Sequence, residues 1–188
     1  MGMPIARITV ILFLIIKTNF MGDVKNLYNQ EAVEKIKQLV KSADICLFTT
    51  ALSQLPLSTR PMSTQDVDDK GALWFLSPKS SDKNVEILQD NRVQLFYFNK
   101  GSSEYLSIYG EAEITTDKEK IKQYWTTMAK AWFTEGEDDP EISVIKVIPQ
   151  DAYYWDTKHN KMVATLKIAA AVITGNTMDD GVEGTLHV

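Results

Sequence analysis

The sequence predicts a mainly β domain, a closed or nearly closed barrel with helices packed outside it. Three observations lead there. Runs of alternating apolar and polar residues, rich in aromatic and β-branched types, recur through the middle of the chain and outnumber the helix-period stripes. No internal repeat and no linker divides these runs, so they belong to one compact unit. At 188 residues, with 44% apolar and 24% charged side chains, the chain can bury the core of one soluble domain. A net charge of −5 without any basic run argues against a nucleic-acid surface.

Residues 1–20 stand apart. Ile8-Thr9-Val10-Ile11-Leu12-Phe13-Leu14-Ile15-Ile16 is strongly apolar between Arg7 and Lys17. It is shorter than the roughly 20 residues of a membrane helix, and no small-residue cleavage site follows it. The polar stretch from Met21-Gly22 favours an upstream extension, with translation starting at Met21, over a weak membrane anchor. The folded domain is expected over residues 21–188. Asn29 is expected to cap a helix over 31–42 with Val33, Ile36, Leu39 and Val40 as its apolar stripe. A buried strand follows over 44–52. It holds Cys46, the single cysteine, which is expected as a buried, inert thiol in keeping with a reducing cytoplasm. Thr49 and Thr50 read as β-branched strand residues.

The stretch 57–85 organises the rest. A strand over 57–65 and a turn at Asp68-Asp69-Lys70-Gly71, where glycine accepts positive φ, lead into an aromatic return strand over 72–77. Pro78-Lys79-Ser80-Ser81-Asp82-Lys83 then opens a helix with Val85 and Leu88 on one side. Hydroxyl and ammonium groups thereby collect where a helix presents unpaired N–H groups, a place that suits a phosphate. Strands follow over 92–99 and 104–115, joined at Lys100-Gly101, and Gly110 marks a bulge where the sheet curves. Thr116-Asp117-Lys118-Glu119 is a capping box for a helix reaching about residue 131, with Ile121, Tyr124, Trp125 and Met128 buried. An acidic loop over 134–140 precedes a strand over 142–148 ended by Pro149, and a short last strand over 152–156. A helix over 162–173 stops at Gly175, and the tail 179–188 is polar until Leu186.

Side chains suited to hard chemistry are scarce. His159 and His187 are the only histidines, and neither is spaced with Cys46 or with the other as a metal ligand. Ser80-Ser81 has no histidine partner for a nucleophilic triad, and no Gly-rich dinucleotide fingerprint follows a strand. Any reaction would therefore draw on an organic cofactor.

Taken in order, Arg60-Pro61-Met62 in a strand, Trp74-Phe75 in the return strand and the Ser81-Asp82-Lys83 loop resemble the flavin-binding core of the pyridoxamine-phosphate-oxidase-like split barrels. The closest group is that of the general stress protein 26-like flavoproteins, and the resemblance runs over about residues 29–185. It implies a six-stranded FMN-binding split β-barrel with flanking helices, working as a homodimer with FMN in two interface sites. Arg60, Ser81 and Lys83 would hold the phosphate, with Lys79 and Ser80 as second choices. Pro61, Met62, Trp74 and Phe75 would line the ring, and Trp132, Phe133 and Trp155 would close the site from the partner subunit. The implied function is a cytoplasmic FMN-dependent oxidoreductase with a stress-related role. No catalytic residue is assigned, and neither nucleic acid nor membrane is an expected partner. The match departs from true pyridoxamine phosphate oxidases at two points. Gln65 stands where their substrate-phosphate lysine would fall, and Lys158-His159-Asn160-Lys161-Met162 replaces their C-terminal Arg-x-His-x-Arg. Vitamin B6 oxidation is therefore not expected. Two alternatives stay open: a non-catalytic protein that binds or sequesters flavin, and the same barrel using haem or a deazaflavin.

Overall fold

The computed structural model describes residues 23–157 and 181–188. Two short strands, β1 (Asp23–Val24) and β2 (Leu27–Tyr28), lead into α1 (Asn29–Ala43), followed by β3 (Ile45–Thr50), β4 (Ser58–Ser63), β5 (Asp66–Val67) and β6 (Leu73–Pro78). Helix α2 (Asp82–Gln89), β7 (Arg92–Asn99), β8 (Glu104–Thr115), α3 (Lys118–Tyr124), β9 (Ile142–Thr157) and β10 (Gly181–His187) complete the order.

Six strands make the barrel, in the order β6-β9-β8-β7-β3-β4, every neighbouring pair antiparallel. β10 extends the sheet beside the second half of β9, and β1 and β2 add to β10 in parallel. The path curls on itself. Phe48 on β3 and Phe75 on β6 have three strands between them along the ladders, yet their rings meet edge to face at 5.2 Å. Between β4 and β6 no ladder forms among the described residues. The chain crosses there directly, with Gln65 N–H donating to Trp74 O at 2.8 Å. Both Phe rings belong to one core that also takes in Ile36, Leu73, Leu95, Ile108, Ile145 and Tyr154. Alternation along β7 and β8 sends every second side chain into that core, as the period of a strand requires.

The predicted β7 and β8 match the observed strands residue for residue, and Gly71 takes φ 81° in the expected turn. The bulge falls where Gly110 indicated, with the register shifting between Tyr109↔Asp151 and Gly110↔Pro149.

Other expectations need correction. The strand over 57–65 does not form a hairpin with β6: β4 pairs with β3, and only the two residues of β5 pair with β6. Pro149 does not end a strand, because it lies at the bulge, where the N–H that proline lacks is not missed. The two strands expected over 142–156 are the single β9. Asn29 does not cap α1. It opens the helix at φ 51°, a left-handed conformation that asparagine tolerates, and its predecessor Tyr28 makes no side-chain cap bond.

Asp117, rather than the Thr116 of a capping box, caps α3, accepting from Glu119 N–H at 2.8 Å, and the helix ends at Tyr124. Trp125 turns extended (ψ 135°) toward Phe133, and the β-branched pair Thr126-Thr127 favours leaving the helix; a 3-10 turn over Thr127–Ala131 takes its place, with Met128 78% exposed. On α2 the buried residues are Asn84 and Ile87, while Val85 and Leu88 face outward. β10 forms where the sequence predicts only a polar tail. Residues 1–20, the helix over 162–173 and the segment 158–162 lie outside the described residues. Among the described residues no helix is long and apolar enough to cross a membrane.

A Cβ at Gly110 would stand 2.4 Å from the Ile148 carbonyl oxygen. Gly110→Ala should therefore cost about 1–3 kcal/mol, read as a lower urea midpoint. A wild-type midpoint would show that the bulge is not a tight backbone approach.

Candidate functional site

Strand β4 alternates Ser58, Arg60 and Met62 toward the barrel with Thr59, Pro61 and Ser63 away from it. Arg60 therefore reaches the open seam, where α2 begins. Its Nη1 donates to Thr50 Oγ1, and its Nη2 donates to Ser58 Oγ at 2.6 Å and to Glu86 Oε2 at 2.9 Å. Glu86, on α2, also accepts from Thr50 Oγ1 and, at 2.8 Å, from Ser58 Oγ. Burial pushes the Glu86 carboxyl up, but the bonds from Thr50, Ser58 and Arg60 outweigh it and hold its pKa below the ordinary carboxylate value.

Lys83 lies one turn earlier on the same helix. Burial lowers its pKa, and the nearby charge of Arg60 lowers it further. The two cations, from β4 and from α2, are thus brought together. Lys83 donates no hydrogen bond among the described residues, so its ammonium is half-buried without a bonded anion. Ser81 precedes α2 in an extended conformation, its hydroxyl 3.1 Å from that of Ser77.

A buried polar relay holds this helix start. Ser77 Oγ donates to Asn84 Oδ1, Asn84 Nδ2 donates to Ser143 Oγ, and Ser143 Oγ donates to Ser77 O, each at 2.8 Å. The three residues are almost fully buried, so the first turn of α2 is fastened to β6 and β9 by bonds that water does not contest.

The other predicted residues fall in different surroundings. Met62 is buried in the main core beside the seam, while Pro61 faces outward opposite Leu47. Trp74 and Phe75 are neighbours in a strand and face opposite ways. Phe75 fills the barrel. Trp74 packs outside it, stacked on Tyr124 at 4.6 Å and donating its Nε1–H to Asp68 at 3.0 Å. Phe133 is buried in that same outer cluster, whereas Trp132 is 69% exposed. Trp155 lies on the outer face of β9 against Tyr153. Lys79 is drawn away from Arg60 to the Pro140 carbonyl, and Ser80 is exposed in the turn. The sequence marks Thr50 only as a β-branched strand residue and does not single out Ser58, Glu86, Ser77, Asn84 or Ser143. Only Glu86 had a local cue, its place one turn after Lys83.

The donor set fits a phosphorylated ligand. Of the five guanidinium N–H groups of an arginine, three on Arg60 are committed, leaving the Nε–H and one Nη1–H. Lys83 and the first N–H groups of α2 add to them.

A curled sheet left open at one seam defines a split β-barrel, with two cations and a helix start at its rim. The sequence profile of the family described as "Pyridoxamine 5'-phosphate oxidase like" matches residues 31–179, and the chain belongs to that family. A protein of Neurospora crassa named bli-3 is 24% identical over 155 residues, covering 77% of this chain and 74% of its own. A crystal structure described as general stress protein 26 from Jannaschia sp. CCS1 shares the fold with a TM-score of 0.71 at 24% identity, over 85% of this chain and 99% of that one. The general stress FMN/FAD binding protein of Xanthomonas citri aligns with a TM-score of 0.58 at 25% identity, over 67% of this chain and 89% of its own.

Replacing Asn84 with leucine removes two buried bonds at nearly constant volume. Asn84→Leu should cost about 1–3 kcal/mol, with hydrogen exchange accelerated at the start of α2 more than in β7 and β8. Unchanged exchange there would show that the relay does not fasten the helix.

Proposed function

We propose that this chain is a flavoprotein that binds FMN at the seam between β4 and α2, as a homodimer, and that its function is flavin redox chemistry with a stress-linked role. The observation that carries the reading is the Arg60–Lys83 pair, two cations assembled from separate elements at a helix start, with Lys83 lacking a bonded anion among the described residues. Family membership and the name of the Xanthomonas citri relative support flavin as the ligand. In this reading Arg60, Ser81, Lys83 and the α2 N–H groups hold the phosphate, and the Pro61–Met62 edge of β4 borders the ring. Bound flavin would supply a two-electron, hydride-accepting centre that no side chain here offers. Gln65 is engaged with Ser63 O at 3.1 Å and Thr126 Oγ1 at 3.3 Å and carries no charge, so vitamin B6 phosphate oxidation is not part of the proposal.

The dimer rests on an exposed apolar face. Ladder register aligns Pro61, Leu47, Phe96, Ser107 and Tyr153 in one row across β4-β3-β7-β8-β9, and Phe98, Tyr105 and Trp155 in a neighbouring one. Leu47, Phe96, Phe98, Tyr105 and Trp155 are exposed in the single chain. A contiguous apolar face of this kind marks an interaction surface, and Pro61 carries it to the strand that bears Arg60.

The double variant Arg60→Ala/Lys83→Ala should weaken FMN binding in a fluorescence titration by at least roughly a hundredfold, from the loss of two charge-assisted contacts, with the far-ultraviolet dichroism of the barrel unchanged. Undiminished affinity would argue against this phosphate site. Phe96→Glu should convert the dimer to a monomer in light scattering by placing a charge inside the apolar contact. A wild-type protein that is monomeric at micromolar concentration would contradict the assembly.

A further inference from the structure

We propose that Glu86 is the positioning residue of the phosphate half of this site: it clasps β4 to α2 across the seam and so sets Arg60 in place beside Lys83. The inference rests on the flavin reading above and extends it to a residue that touches no ligand.

The two cations come from parts of the chain with no shared ladder. Arg60 belongs to β4, whose only strand partner among the described residues is β3, while Lys83 belongs to α2, which is fastened to β6 and β9 through Asn84 and Ser143. Apart from the chain crossing at 64–72, something must fix the spacing between these two bodies. The Arg60–Glu86 ion pair does so directly, and both side chains are 24% exposed, sheltered enough for the pair to hold a geometry. Ser58 from β4 and Thr50 from β3 also donate to the carboxylate, so three bonds from two strands converge on one residue of α2. A further tie, Ser53 Oγ to Asp90 Oδ2 at 3.5 Å, is exposed and joins the far end of the helix.

The arrangement also orients the guanidinium. Thr50, Ser58 and Glu86 take three N–H groups on one side of the fork and leave the Nε–H and one Nη1–H for a ligand. Without Glu86, Arg60 keeps its charge but loses its one anionic partner among the described residues, and its planar fork is free to turn. The loss should therefore fall on ligands that carry a phosphate and spare those that do not. FMN and riboflavin differ by that group alone.

The test is a pair of fluorescence titrations, with FMN and with riboflavin, on the full chain and its variants, with thermal melting recorded in parallel. Glu86→Ala should reduce the preference for FMN over riboflavin roughly tenfold or more while leaving riboflavin affinity within about twofold. Glu86→Gln, whose one amide oxygen can take the Oε2 place and still accept from Thr50 and Arg60 while its NH2 group meets the Ser58 hydroxyl, should keep most of the preference. In the Arg60→Ala background Glu86→Ala should add nothing, because its effect passes through Arg60. A Glu86→Ala protein with the wild-type preference would overturn the inference, as would additive losses in the double variant or equal weakening of both ligands. A wild-type chain with no preference for FMN would overturn the flavin-phosphate reading itself, and the clasp with it.

Discussion

The structure depends on the pairing of one long strand. β9 runs for 16 residues, and its backbone donors and acceptors need partners on both sides. β8 supplies one side over nearly the whole length, while β6 and β10 share the other, β6 along 142–147 and β10 along 153–157. A flat strand of that length would hold β6 far from β3. The bulge opposite Gly110 bends it, leaving Gln150 out of the register, and the sheet curls until Phe48 meets Phe75. The candidate site hangs from the first half of the same strand, since Ser143 of β9 is the floor to which Asn84 of α2 is bonded.

What the sequence disclosed follows from how local each feature is. β7 and β8 were readable to the residue because an aromatic-rich run before Lys100-Gly101 and an alternating run after it both favour strands. Pro149 misleads because a proline inside a strand is forbidden only where its N–H is needed, and the bulge that removes the need is formed with a strand about forty positions away in sequence. β10 was invisible for a related reason. Gly181, Glu183 and Gly184 have little strand preference, and pairing with β9 and β1 imposes the conformation. At Gly184 even the missing side chain is required, since a Cβ would stand 2.2 Å from the Lys25 carbonyl oxygen.

At the site, the residue types were legible and their partners were not. A strand arginine and a Ser/Lys-rich helix opening signal an affinity for anions whatever the tertiary context. Glu86, Asn84 and Ser143 gain their roles only once β4, α2 and β9 meet, and no spacing in the chain foretells that meeting. Trp74 and Phe75 illustrate the opposite case. Adjacent residues of a strand face opposite sides, and the structure divides these two between the barrel and the outer cluster.

Strand period also ties the site to the assembly. Along Arg60-Pro61-Met62 the first and third side chains turn toward the seam and the core, and the middle one joins the apolar outer face. A shift of β4 by one residue against β3 would put Pro61 at the seam and Arg60 on the face proposed to meet a second subunit, where an unpaired charge is costly. Six consecutive pairings, from Ile45↔Ser63 to Thr50↔Ser58, resist that slip, with Met62 and Phe48 buried on one side and Thr49 bonded to Thr59 at 2.9 Å on the other. The Glu86 clasp acts on the same strand from the helix side, because it engages Ser58 and Arg60, two residues apart and therefore on one face. The register that orders the core thus also decides which way the arginine points and which surface remains for a partner.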